Sequence, residues 1–212
     1  MILTENTAEL IEALIGDGYI YNKNRKYQIG FVGNPITDRD YFEYIRKLIF
    51  SEWLMESKLT FRERGVRITI NSKEIVNWLI NDVGIPHGEG KCEKVVIPEN
   101  IYQNWDLCKR IIRGIVDTDG SVFAAKKPGI DNYPSIEITT SSLELAKQLR
   151  EILTHREFRV ANIWSYKSKM SKRTTYKVAL NGKENIKKWL EEIGFSNPYK
   201  RKRALSYLNN KA

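Results

Sequence analysis

The 212-residue chain is 42% hydrophobic and 29% charged, enough for one substantial core or for two small ones that share an interface. No apolar run approaches the roughly 18 residues of a membrane span and the start lacks a signal-peptide pattern, so a cytoplasmic protein without a membrane partner is expected. The net charge of +9 is uneven, with 13 Lys/Arg against 15 Asp/Glu in residues 1–100 and 22 against 11 in residues 101–212. That asymmetry fits a polyanion engaged mostly by the second half, or a solvated basic face.

A helix is predicted over Thr4 to Ile15, with Thr7 or Asn6 as its N-cap and Leu10, Ile11, Leu14 and Ile15 on its apolar side. Tyr19 to Tyr21 and Tyr27 to Val32 read as a hairpin, and Asp38 as the cap of an amphipathic helix from Asp40 to Leu54. Lys58 to Arg64 and Val66 to Asn71 form a second hairpin turning at Gly65. Ser72 then caps a helix from Lys73 to Val83 that Gly84 and Pro86 close. Residues 86–104 read as a linker.

The same order then recurs. Residues 105–119 are helical, Val122 to Lys126 pairs with Ile136 to Thr140, and Ser142 caps a helix to Leu153. Phe158 to Tyr166 pairs with Thr174 to Leu180, and Lys183 to Ile193 is the last helix of the repeat. Asn71, Lys73, Glu74 and Gly84 match Asn181, Lys183, Glu184 and Gly194 at a constant offset of 110. The reading is therefore α+β: two αββαββα repeats (1–85 and 105–195), a linker, and a basic helical extension (196–212) that carries Lys200-Arg201-Lys202-Arg203.

Each repeat opens on a helix that ends in Asp-Gly, at Asp17-Gly18 and Asp119-Gly120, with the glycines 102 residues apart. A carboxylate there faces the negative end of the helix dipole, a cost on the order of 0.3–1 kcal/mol, and Gly120 suits a left-handed terminating position. One copy alone would be an ordinary turn. Two copies, in Leu10 to Gly18 and Ile112 to Gly120, resemble the signature of the single-chain LAGLIDADG homing endonucleases.

The resemblance covers nearly the whole chain. It implies that the two motif helices pack at a pseudo-twofold interface, with Ala13, Gly16, Gly114 and Thr118 small enough for close approach. The antiparallel sheets would then form a saddle in the major groove of a long, asymmetric double-stranded DNA target. It implies Mg²⁺ (or Mn²⁺) held by Asp17 and Asp119 with the carbonyls of Gly16 and Thr118, and a double-strand break with 3′ overhangs. Asp117 lies two residues from Asp119 on another side of its helix, and its counterpart is Ile15, so one acid per repeat is expected to do the chemistry. Where the family commonly has a Gln or Lys, this chain has Gly33-Asn34 and Thr140-Ser141, which leaves Asn34 and Lys126 as candidates for positioning water.

Strand alternation places Val66, Ile68 and Ile70 opposite Arg67 and Thr69, and Val178 and Leu180 opposite Arg173, Thr175 and Lys177. With Arg62, Arg64, Lys126, Lys167 and Lys169 these are the candidate DNA contacts, although a half-solvated sheet would show the same alternation. An intron RNA maturase and a non-cleaving DNA-binding regulator are the rival readings on this scaffold. No splicing junction residues are evident, so a monomeric, free-standing intron product is expected. Cys92, Cys108, His87 and His155 form no zinc-like spacing.

Overall fold

Thr4, not Thr7 or Asn6, is the N-cap of the first helix, α1 (Glu5–Ile15): its hydroxyl accepts from the Thr7 amide while Thr7 reciprocates at the Thr4 amide. The sequence pattern favours a cap one residue before the first acidic turn, and Thr7 serves as the far side of the box. The structure is a computed structural model and describes residues 1–62, 65–167 and 173–209. After α1 come β1 (Gly18–Lys23), β2 (Lys26–Gly33), α2 (Arg39–Trp53), β3 (Thr60–Arg62), β4 (Gly65–Asn71) and α3 (Lys73–Asn81).

The second repeat runs α6 (Trp105–Thr118), β5 (Gly120–Lys127), β6 (Ile130–Thr140), α7 (Leu143–His155), β7 (Trp164–Lys167), β8 (Thr174–Asn181) and α8 (Lys183–Glu192). Between the repeats the expected linker folds into two single helical turns, α4 (Lys91–Lys94) and α5 (Glu99–Tyr102). Residues after 196 form α9 (Pro198–Asn209), whose proline at the first helical position costs no hydrogen bond. The strand expected from Phe158 begins only at Trp164, with Val160 making a single bridge to Leu180.

Each repeat forms a four-stranded antiparallel sheet, ordered β1-β2-β4-β3 and β5-β6-β8-β7. One face of each is apolar: Ile29, Phe31, Val66, Ile68 and Ile70 are buried in the first, Ile136, Ile138, Val178 and Leu180 in the second. Those faces pack on α2 and α3, and on α7 and α8. The opposite faces stay open and polar, so the fold presents two half-solvated sheets side by side.

The two halves meet along α1 and α6, and the contact is built from charge as well as small residues. Glu5 pairs with Arg110 and Glu9 with Arg113, so α1 offers acids and α6 offers arginines. Glu12, fully buried, lies in the space left by Gly114, where a Cβ would come within 2.8 Å of its Cγ. Burial, followed by the charge of Asp117, raises the Glu12 carboxyl well above its usual range. Ala13 is buried at the same interface, and Gly16 sits against Thr118, whose Cβ would be 2.8 Å from a Gly16 Cβ.

Gly114→Ala is thus expected to lower stability by about 1–2 kcal/mol. Helix propensity favours the alanine by about 1 kcal/mol, but overpacking typically costs about 1–3 and the buried Glu12 cannot swing into water. Urea unfolding of Gly114→Ala and of the Gly114→Ala/Glu12→Ala pair measures it. Equal midpoints for parent and single variant would contradict the tight fit.

Candidate active site

The two motif helices end next to one another. α1 stops at Ile15 with Gly16 as its C-cap, and α6 stops at Thr118 with Asp119 as its C-cap. The following glycines are not left-handed, contrary to the expectation for Gly120. They are needed because the chain doubles back on its own helix: a Cβ on Gly120 would lie 2.6 Å from the Val116 carbonyl oxygen, and Gly18 is crowded in the same way by Leu14. This tight exit starts β1 and β5 directly from the two acids. It also brings Asp119 against the other motif, since its Oδ2 is 3.3 Å from where a Gly16 Cβ would stand.

The electrostatics of the pair follow from that closeness. Burial, then the charge of Asp17, pushes the Asp119 carboxyl up to about 7, with Lys200 and Lys91 opposing. Asp17 is likewise raised, first by burial and then by Asp38. Two carboxylates driven toward neutrality at one spot form a site short of positive charge.

Two lysines partly supply it. The Lys91 ammonium donates to the carbonyls of Leu14 and Gly18, the latter at 2.8 Å. The Lys200 ammonium donates to the carbonyls of Val116 at 2.8 Å and Thr118 at 2.9 Å. Each thus satisfies the orphan carbonyls at the end of one motif helix and offsets the dipole cost of the acid placed there. Burial lowers Lys91 to about 8 and lowers Lys200 also, while both acids pull them back up. An ammonium has three N–H donors, so each lysine keeps one for a further acceptor.

Neither lysine was singled out from the sequence. Lys91 lay in the linker and Lys200 in the basic extension, yet they are 109 residues apart, close to the offset of 110 that relates the repeats' closing segments. Asn197 helps place Lys200: its side-chain carbonyl caps α9 through the Tyr199 amide at 3.0 Å, and its amide donates to Asp38 at 3.2 Å and to the Asp117 carbonyl at 3.3 Å. Asp117 is buried apart from the acid pair and accepts from the Ser196 amide at 2.6 Å. Burial nevertheless pushes its carboxyl up to about 7.

The candidates for positioning water lie elsewhere. Asn34 is spent on its own loop, accepting from the amides of Ile36 and Thr37 at 2.8 and 3.2 Å. Asp38 stands at the N-cap of α2 as expected, but its side chain makes no cap bond and instead accepts from the Asn34 amide at 2.8 Å. Lys126 is 87% exposed on β5, 4.0 Å from Asp131. Among the candidate DNA contacts, Arg62, Arg67 and Thr69 lie on β3 and β4, and Thr175, Lys177 and Lys167 on β8 and β7. Arg173 precedes β8 and pairs with Glu93 at 2.9 Å. Arg64 and Lys169 fall outside the described residues. Cys92 and Cys108 are free thiols, with Cys108 buried.

A cavity of about 360 Å³ opens beside Asp119, lined by Gly16, Asp119, Thr139, Thr140, Tyr166 and Thr175 among others. It joins the end of α6 to the polar face of the second sheet. As for metal, the described residues contain no cluster of three or more His, Cys, Asp or Glu side chains that could form a complete cage. The two carboxylates, held above their usual range by burial and by neighbouring acids, are hard oxygen donors that gain from a divalent cation. Mg²⁺ fits a site of this kind, where one or two carboxylates are completed by water and substrate phosphate oxygens. No helix among the described residues is long and apolar enough to cross a membrane.

Comparison with known proteins agrees with this architecture. Residues 106–194 match the family of the LAGLIDADG-like domain, and residues 7–101 match that of the WhiA LAGLIDADG-like domain. The chain is 28% identical over 206 residues to the replication factor C small subunit of Methanocaldococcus jannaschii, covering 97% of this chain and 10% of the relative. It is 24% identical over 208 residues to the tRNA-splicing ligase RtcB of Methanopyrus kandleri, covering 89% of this chain and 20% of the relative. The chain therefore spans a tenth to a fifth of the length of these curated relatives. Among solved structures it is similar to I-DmoI in complex with DNA and Ca, with a TM-score of 0.63, 16% identity, and coverage of 95% of this chain and 96% of that one. The two matched segments, the doubled Asp-Gly helices and the paired four-stranded sheets lead to one assignment: the chain belongs to the LAGLIDADG family, as a single polypeptide with two repeats.

Proposed function

We propose that this protein is a site-specific DNA endonuclease that makes a double-strand break in a long asymmetric target, leaving 3′ overhangs. The observation that carries the reading is the presence of one acid and one half-buried lysine at the end of both motif helices. Asp17 and Asp119 would hold Mg²⁺ or Mn²⁺. When bound, the metal supplies an acidified water and neutralises charge on the leaving 3′ oxygen.

The protein's own contribution is positioning and charge. The open polar sheets seat the duplex, with Arg62, Arg67 and Lys177 available to phosphates and base edges. Lys91 and Lys200, anchored by helix-end carbonyls, each direct a remaining N–H toward a phosphate oxygen or a water. With two half-sites in one chain, a monomer suffices. The recurrence of this unit within two differently named proteins, each much longer than the unit, supports a mobile coding element as its origin.

Plasmids carrying a randomised insert, incubated with the protein and Mg²⁺, test this directly. Linear products with a common end sequence and short 3′ overhangs are expected, and Asp17→Asn or Asp119→Asn is expected to abolish them. The proposal fails if the parent cuts nothing, or if both variants still linearise plasmid. The first repeat's match to the WhiA LAGLIDADG-like domain carries a second reading, a DNA-binding regulator that does not cleave. Retention of insert sequences without any cut in the same assay would identify it.

A further inference from the structure

The edge strand β7 of the second sheet carries an aromatic pair on its open face that β3, its equivalent in the first sheet, lacks. Trp164 and Tyr166 alternate along the edge strand β7, 57% and 38% exposed, on the same face as Lys177, the register partner of Trp164. Their rings stack with centroids 5.1 Å apart and planes 26° from parallel. The Lys177 ammonium lies 5.5 and 5.8 Å from the two centroids and is itself held at 2.8 Å by Glu137.

In the first sheet the equivalent places hold Thr60 and Arg62, with Thr60 paired to Arg67 as Trp164 is to Lys177. The fold does not require aromatics there, since the first repeat forms the same sheet without them. Two large rings standing on a solvent-facing sheet expose apolar surface that water disfavours, and such a patch usually marks a binding surface. Because the ring faces are taken up by each other and by Lys177, what they offer a partner is their apolar rims.

We propose that Trp164 and Tyr166 read the C5-methyl groups of thymines at neighbouring base pairs in the half-site bound by the second repeat. This deepens the reading of the protein as a duplex-DNA endonuclease and rests on it. In the major groove the thymine methyl is the apolar feature that distinguishes its base pair, and an apolar side chain is its natural complement. The ring centroids, 5.1 Å apart, span less than two base-pair rises of about 3.4 Å, so the two rims fall on neighbouring base pairs. Tyr166 also lines the cavity beside Asp119, so the methyls read are those near the cut. The half-site under the first sheet, facing Arg62 and Arg67, is read by hydrogen bonds instead.

The test uses the full chain and a random 30-base-pair duplex pool, from which bound sequences are enriched in Ca²⁺ to allow binding without relying on cleavage. Each thymine in the half-site protected by the second repeat is then replaced by uracil, which lacks only the methyl. At one or two adjacent positions the substitution should weaken binding by about four-fold, the equivalent of one buried carbon. Trp164→Ala and Tyr166→Ala should weaken binding to the thymine duplex by a similar or larger factor and bind thymine and uracil duplexes alike. Should a variant fail to fold, the thymine and uracil comparison on the parent protein still decides the matter. Indifference of the parent to uracil at every position overturns the proposal. So does a larger loss by Trp164→Ala for single-stranded RNA or DNA than for duplex, which would make the rings a stacking platform for unpaired bases. Failure to enrich any duplex overturns the DNA reading together with this one.

Discussion

In metal-free buffer at pH 8, Asp119→Asn should melt about 4 °C above the parent chain while making no double-strand breaks. The carboxyl of Asp119 has its folded value raised to about 7 from an ordinary 3.8, by burial and then by Asp17. The folded chain therefore binds that proton more tightly than the unfolded chain. Stability from this group is full below about pH 4, is lost as pH rises from there to 7, and stays lost above. Asparagine removes the penalty. Since Asp119 is exposed by surface area, solvent screening cuts the effect, and since the two acids titrate together, a gain of about 1–2 kcal/mol is expected, or roughly 2–4 °C per kcal/mol for a chain of this size.

Two controls follow from the sign. At pH 4 the parent's carboxyl is protonated and the difference in melting temperature should vanish. Adding Mg²⁺ at pH 8 should raise the parent's melting temperature more than that of Asp119→Asn. Melting curves that superimpose at every pH would show that the acid pair is not strained. The expected result is a trade of activity against stability at a single atom pair.

Substitution of either lysine by methionine is expected to slow cleavage of one strand by about 10²–10³-fold, the scale seen when a charged donor is removed from a developing oxyanion. Lys91 anchors on the helix that ends in Asp17, and Lys200 on the helix that ends in Asp119. Each variant should therefore accumulate nicked circular plasmid where the parent gives linear product. With Lys91 lowered to about 8, the strand it serves should be cut progressively more slowly between pH 7 and 9 as the ammonium is lost. That decline should be absent in Lys91→Met. If both lysine variants linearise plasmid at the parental rate, the lysines only cap helices.

Much of this architecture was legible because it is local. The apolar spacing in Leu10 to Ile15 and Ile111 to Val116, the repeated Asp-Gly, and the alternation in Val66 to Ile70 each report a contact made within one element or its immediate neighbour. What could not be read depends on chain segments meeting from afar. Lys200 touches Val116 across more than eighty residues, and Lys91 touches Gly18 across more than seventy. In a chain with this many lysines, nothing nearby marks those two as anchored on helix ends. The repeat offset was the nearest usable signal, since residues 91 and 200 lie 109 apart, one short of the 110 that relates the closing segments. Gly120 shows a different limit: the sequence correctly demands a glycine, but the reason is collision with Val116 and not a left-handed backbone. Asn34 had an attractive position and chemistry, yet its side chain is consumed by the turn that it forms.

The charge layout across α1 and α6 bears on how the two halves recognise one another. Glu5, Glu9 and Glu12 line one helix, and Arg110, Arg113 and the opening at Gly114 answer them on the other. Two copies of the first half placed together would set acid against acid, and two copies of the second would set arginine against arginine. Neither half is therefore suited to pair with a copy of itself. The halves are complementary parts, and a gene cut between them would yield fragments that select each other over themselves.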